Sequence, residues 1–517
     1  PDANLRTAVC SALGLSSDCS YITDTNMLSL TSLSASSVDT FEGLSYATNL
    51  ASLTIDGTST SDLEIDSTEI GYLPTSSLST LYLQNIALSE DVSLSAFTML
   101  TKLDLRNTGL TDSHIVLGSL SGVEEQLVEL TLRENSISDI SALSGMVNLT
   151  YLHLYNNQIS DITALYGMVN LMHLHLSDNN ISDISSLSKC TKLLMLSIYS
   201  NDLSDISYIS GMIDLESLYL QSNYISDISS LGTLTKLTYL HLASNVIISI
   251  SSLSNLKLLQ TLYLYSNNIV NISYLKGLSS ITTLHLSSNN ISNIADLSEM
   301  TQLTSLYLGY NNILDVSALE KLSNLRTLSL DSNYITDISS LVNMTKLTSL
   351  YLPHNEISSI SSLLFMINLT TLSIYGNNIS DISPLAGMYG LTDLYLHYNN
   401  ISDISFLSSM NDLSILNLSN NPLSTTMSSS LTTLSSLPSL TTLTLDSVGL
   451  CNTSLRSLSM FPALSTLSIR SNGLTDISLL FPISGLSSLD VHENKLCNVS
   501  DTVYAALFPL SPALSVN

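Results

Sequence analysis

From Leu127 to Asn421 one 22-residue phrase is written fourteen times without insertion or deletion. The copies begin at Leu127, Leu149, Leu171, Leu193, Leu215, Leu237, Leu259, Ile281, Leu303, Leu325, Leu347, Leu369, Leu391 and Leu413, and each opens L-x-x-L-x-L-x-x-N-x-I/L, with isoleucine for leucine at Ile198, Ile281 and Ile374. A fixed period of this length marks a structure built by stacking one unit on the next.

One copy contains the physics. In Leu149–Asn170, Leu152 and Leu154 stand two apart, so they share one face of a short strand while the residues between them point the other way. Ile159, Ile162, Leu165 and Met168 supply further inward groups along the return path. No single copy can bury seven apolar side chains alone. Stacked copies can, each side chain contributing about 1.5–3 kcal/mol. The ninth position is asparagine in every copy: Asn135, Asn157, Asn179, Asn201, Asn223, Asn245, Asn267, Asn289, Asn311, Asn333, Asn355, Asn377, Asn399 and Asn421. A carboxamide donates and accepts at once, so this column is expected to satisfy backbone groups freed where each coil leaves its strand.

The pattern resembles the leucine-rich repeat, and its Ser-Asp-Ile-Ser-x-Leu second half resembles the 22-residue subclass of bacterial internalin-like surface proteins and protist relatives. That resemblance implies a right-handed solenoid of α/β type. A parallel β-sheet would line its concave side, with short 3₁₀ or extended segments on the convex side, over about 21 coils. The opening PDANLRTAVCSALGL, followed by YITDTNMLSLTSLSAS, resembles the segment preceding many secreted or surface leucine-rich repeats.

The expected organisation follows. Residues 1–29 form an N-terminal helical cap, with Asp2 capping a helix that Gly14 stops. Irregular coils occupy 30–126, the regular repeats 127–421, irregular C-terminal coils 422–500, and a cap or contact segment 501–517. Extra residues around 59–72 and 111–126, the latter with His114, Glu124 and Glu125, read as loops that either drifted or serve partners. PLSTTMSSSLTTLSSLP, between Pro422 and Pro438, reads as a Ser/Thr-rich loop.

Charge excludes several functions. With 43 acidic and 15 basic residues the net charge is −28, which repels nucleic-acid backbones and anionic membranes. No stretch reaches the about 18 consecutive apolar residues of a membrane helix. Cys10 and Cys19 bracket a short loop and are expected to form a disulfide, which favours an oxidising, extracellular or cell-surface setting. Cys190 replaces an inward residue. Cys451 and Cys497 occupy equivalent places two coils apart, roughly 10 Å by regular stacking, beyond the ~7 Å reach of a disulfide.

Three features are candidates for function. The fifth position of the repeat carries a Tyr/His stripe, His153, His175, Tyr219, His241, Tyr263, His285, Tyr307, Tyr351 and Tyr395, flanked by Tyr151, His173 and Tyr239 and by Tyr155, Tyr199, Tyr265, Tyr375 and His397. Such rings suit protein or glycan recognition, and equally suit packing along a parallel ladder. The Asp column from Asp139 to Asp476 is expected to cap tight turns; bridging calcium is the alternative, weakened because such a ladder lacks a cage of six to eight oxygens. Among the N-x-S/T sequons, Asn180, Asn290, Asn378 and Asn400 follow a ladder asparagine and should be exposed to glycosylation.

No catalytic motif, cofactor motif or metal-ligand cluster is found, so no enzyme, cofactor or metal is expected. The sequence therefore points to an extracellular protein recognising a protein or carbohydrate ligand, or else to a structural subunit of a fibril or surface coat built from copies of itself.

Overall fold

Two inward leucines separated by one residue hold three residues of each copy extended, and in the computed structural model every coil opens with such a strand. The structure describes residues 2–15, 19, 22–57, 64–116, 120, 122–423, 427–480, 483 and 485–496. The chain divides into two units, Pro1–Leu259 and Gln260–Asn517.

Among the described residues the first unit has ten strands paired in parallel in chain order, from Ser32–Ser36 to Tyr239–His241. The second has eleven, from Thr261–Tyr263 to Ser488–Asp490. These numbers agree with the expected 21 coils. Register is set by leucine on leucine: Leu152 pairs with Leu174 and Leu174 with Leu196, so every rung presents the same face. After each strand the chain turns, runs extended, and closes with a 3₁₀ segment such as Ser185–Lys189 or Ser317–Lys321.

The core is the sum of the inward columns. In coil 171–192, Leu171, Leu174, Leu176, Ile181, Ile184, Leu187 and Cys190 are all 0% exposed. Burial raises the Cys190 thiol to about 11, leaving it an inert apolar filler.

The asparagines tie successive coils together. The Nδ2 of Asn179 donates to the carbonyls of Leu176 (3.0 Å) and Ser177 (3.2 Å) in its own coil and Leu154 (3.0 Å) in the coil before. Its Oδ1 accepts the Ile159 amide at 3.0 Å. The pattern recurs along the column, buried in all but Asn135, which is half-exposed beside the first irregular coils.

The N-terminal helix spans Ala3–Ala12, with Asp2 accepting from the Leu5 amide at 2.6 Å and Leu5, Val9 and Cys10 buried. Gly14 at φ +63° ends the turn beyond it. Cys10 and Cys19 are joined in a disulfide, their Cα atoms 5.9 Å apart.

Two expectations about loops change. The Ser/Thr-rich stretch holds a helix, Met427–Leu434, which buries Leu431 and Leu434. Leucines spaced by three lie on one helical face, and here they replace the inward apolar groups of an ordinary return path. His114 is not a loop residue open to a partner. It lies in the short helix Asp112–Val116, only 7% exposed, with Nδ1 3.1 Å from the Thr111 amide and Nε2 3.0 Å from the Leu88 carbonyl. Cys451 is exposed and free, its thiol lowered to about 7 by hydrogen bonds from Ser454 and Thr453. Cys497 and residues 501–517 lie outside the described residues.

Candidate recognition face

Because positions four and six of each copy point inward, positions three, five and seven form the solvent face of each ladder. All nine stripe residues lie on it and are half-buried: His153, His175, Tyr219 and His241 in the first unit, Tyr263, His285, Tyr307, Tyr351 and Tyr395 in the second. Six of them, His153, His175, Tyr219, Tyr263, His285 and Tyr307, pack against neighbouring rings while keeping part of their surface in water.

In the first unit the rings gather around three coils. His153 and His175 stack with centroids 4.3 Å apart. Tyr151 leans on His153, His173 and His175 at 6.1, 6.1 and 5.6 Å, and Tyr155 reaches Tyr199 at 6.3 Å. Burial and the facing imidazole push His153 down to about 3, with Arg133 and Arg106 adding to the shift. Burial and His173 push His175 to about 4. These imidazoles are neutral at physiological pH. Further along, Tyr219 and Tyr239 meet at 4.8 Å.

In the second unit, His285 sits between Tyr265 at 4.5 Å and Tyr307 at 4.8 Å. Ser329 and Ser373, between the tyrosines on position five, are only 8% and 5% exposed although they stand on the solvent side. Neighbouring side chains roof them. Another cluster closes the strand exit: His397 stacks on Tyr375 at 4.0 Å and 14°, with His354 against Tyr375 and Tyr398 against His397. Burial, then His354, brings His397 to about 4.

Charge is nearly absent from these positions. From Tyr151 to Ala243 no face position holds Asp, Glu, Lys or Arg. From Thr261 to Tyr375 Asp331 stands as the one charged face residue, and it accepts the Ser329 hydroxyl. The acidity is elsewhere, largely on the return loops. There Asp161, Asp315 and Asp381 each accept the amide two residues on at 2.8 Å, and those bonds lower their carboxyls. Asn271 and Asn293 make the same turn at 2.9 Å, so the column needs an acceptor there rather than a charge. The sequon residues Asn180, Asn290, Asn378 and Asn400 are exposed at the edge, away from the face.

Sequence reasoning missed Tyr310, His354 and Tyr398. Position eight should point inward by strict alternation, yet the backbone there is left-handed in copy after copy, at φ +55°, +54° and +54° for these three. The turn swings their side chains outward, leaving Tyr310 60% and Tyr398 58% exposed beside the face.

Comparison with known proteins agrees with this geometry. Family profiles described as Leucine Rich repeats (2 copies) match residues 125–167, 213–256, 301–343 and 345–387, and one described as Leucine rich repeat matches 257–313 and 367–423. A search of curated proteins gives no match. Among solved structures, a leucine-rich-repeat protein of Leptospira interrogans is 22% identical, over 81% of this chain and 97% of that one, with TM-score 0.61. The plant peptide hormone receptor RGFR1, in complex with RGF2, is 20% identical over 86% and 79%, with TM-score 0.59. The functional domain of InlJ from Listeria monocytogenes is 24% identical over 64% and 76%, with TM-score 0.52. At these identities the likeness is one of fold. With the uninterrupted 22-residue phrase, the matching repeat profiles and the parallel ladder, it identifies the chain as a leucine-rich-repeat protein.

Proposed function

We propose that this is a non-enzymatic recognition or adhesion protein of the cell surface or extracellular space, which binds its partner on the solvent face of its ladders. The observation that carries this reading is the contrast between a chain of net charge −28 and the face between Tyr151 and Tyr375, made largely of tyrosine, histidine, serine and threonine with Asp331 as its one charge. Composition drift would scatter acidic residues over the face as it does over the loops. A surface kept neutral and aromatic suits contact with something else. The Cys10–Cys19 disulfide supports an oxidising location. Among similar folds, RGFR1 holds a peptide hormone, which supports a binding role for such a scaffold. Glycans on Asn180, Asn290, Asn378 and Asn400 would stand at the edge and leave the face open.

The test compares two triple variants of the full chain on immobilised surface material from the source cells. Tyr219→Ser, Tyr263→Ser and Tyr307→Ser together remove face rings; Tyr224→Ser, Tyr334→Ser and Tyr389→Ser remove exposed rings off the face. Loss of retention in the first set alone is expected. Equal retention in both sets, or light scattering that finds polymers indifferent to the face set, would overturn the proposal.

A further inference from the structure

The second unit's face has a feature that general recognition does not require: its chemistry repeats with the rungs. Position three supplies one half-buried hydroxyl per coil over six coils, Thr261, Thr283, Ser305, Thr327, Ser349 and Thr371. Position five supplies a tyrosine on alternate coils, Tyr263, Tyr307, Tyr351 and Tyr395, with His285, Ser329 and Ser373 between. The two serines are almost fully covered, so the face is a continuous floor of rings and hydroxyls without pits at the small residues. Burial raises the Tyr307 phenol.

Resting on the recognition reading above, we propose that this floor binds a linear, uncharged polysaccharide lying along the row of coils. A glycan chain offers what the floor lacks and takes what it has. Its hydroxyls exchange hydrogen bonds with the Ser/Thr row, and its apolar C–H faces lie on the tyrosine rings. It needs no charge partner, and apart from Asp331 and, beside Tyr395, Asp393 the floor offers none. The ladder advances about 4.8 Å per rung, close to one sugar residue of an extended chain, so a polymer of one unit meets a surface of one unit. Polyanions are repelled by the exposed Asp315, Asp337 and Asp381 of the same unit. A cationic ligand would be drawn to those loops rather than to the floor.

Affinity electrophoresis of the full chain, in native gels containing neutral β-1,4-glucan, β-1,3-glucan or mannan, or anionic polygalacturonate or heparin, reads this directly. The expected result is retardation by at least one neutral polymer, insensitive to salt, and none by the anionic ones. Tyr307→Ser with Tyr351→Ser should weaken it about tenfold, two ring contacts being removed. Tyr307→Phe with Tyr351→Phe keeps the rings and should retain most of it, which separates ring loss from misfolding. No neutral polymer binding, binding that persists in the Ser pair, or retardation by polyanions alone would each overturn the inference. Cell-surface retention that depends on the face rings but is abolished by protease treatment of the surface material would refute the glycan and leave the recognition face standing. Retention indifferent to the face would refute both.

Discussion

Replacing Asn289 with alanine probes the joint that every coil shares. The Asn289 carboxamide donates to the carbonyls of Leu264 and Leu286 at 3.0 Å each and of Ser287 at 3.3 Å, and accepts the Ile269 amide at 2.9 Å. The carbonyls are insured: Leu286 also receives Asn311 at 3.0 Å, Leu264 receives Asn267 at 3.1 Å, and Ser287 receives the Ser266 amide at 2.9 Å. The Ile269 amide loses the bond that held it. Leaving one buried donor unmade costs about 1–3 kcal/mol, and weakening three acceptors adds about 1 kcal/mol, so Asn289→Ala should cost about 2–4 kcal/mol. Each coil touches only its neighbours, so the loss should be local. Hydrogen exchange of the Ile269 amide should speed by about thirtyfold or more, with distant coils of the same unit unchanged. Asn289→Asp should be worse at neutral pH, because a carboxylate would face carbonyl oxygens, and should recover on acidification as the protonated acid regains a donor. Unchanged Ile269 exchange in Asn289→Ala would refute the joint.

Acid should loosen the first unit's ring cluster. His153 and His175 titrate at about 3 and about 4 when folded against 6.5 when free, so their stabilising contribution is present above pH 6.5 and is lost as pH falls toward those values. With partial exposure discounted, the pair accounts for about 1–3 kcal/mol, and His153→Ser with His175→Ser should flatten the change in melting temperature between pH 7.5 and 5. Asp315→Ala should speed exchange of the Ser317 amide several-fold while Asp315→Asn leaves it nearly unchanged, since only an acceptor 2.8 Å away is needed. Gly376 stands at φ +65° with an added Cβ 2.7 Å from His354 Nδ1, so Gly376→Ala should lower stability by about 1–2 kcal/mol and disturb the His354–Tyr375–His397 stack, measurable by urea titration.

The repeat made most of the fold legible. Leu152 and Leu154 two apart dictate a strand, a donor–acceptor side chain at Asn157 fits the turn after it, and the return path follows from Ile159, Ile162 and Leu165. What stayed hidden is local competition. Nothing in Tyr310 or Tyr398 announces a left-handed residue, because the asparagine that follows them drives the turn rather than their own preference. The Met427–Leu434 helix hides in residues of weak helix propensity and forms because Leu431 and Leu434 have a core to fill. Of the face, sequence could place the Tyr/His stripe but not the coverage of Ser329 and Ser373, which depends on ring orientation between coils. Ring packing along the ladder and ring exposure to a partner, opposed readings in sequence, coexist in half-buried rings.

Tyrosines occur both on the face and off it, so the protein carries its own control for the central claim. Hydroxyl-radical footprinting of the full chain, free and bound to source-cell surface material, measures protection at each ring. The account predicts protection at Tyr263, Tyr307, Tyr351 and Tyr395, with no change at the exposed Tyr166, Tyr208 and Tyr389 of the return loops. Protection of those loop tyrosines with the face rings unchanged would contradict it.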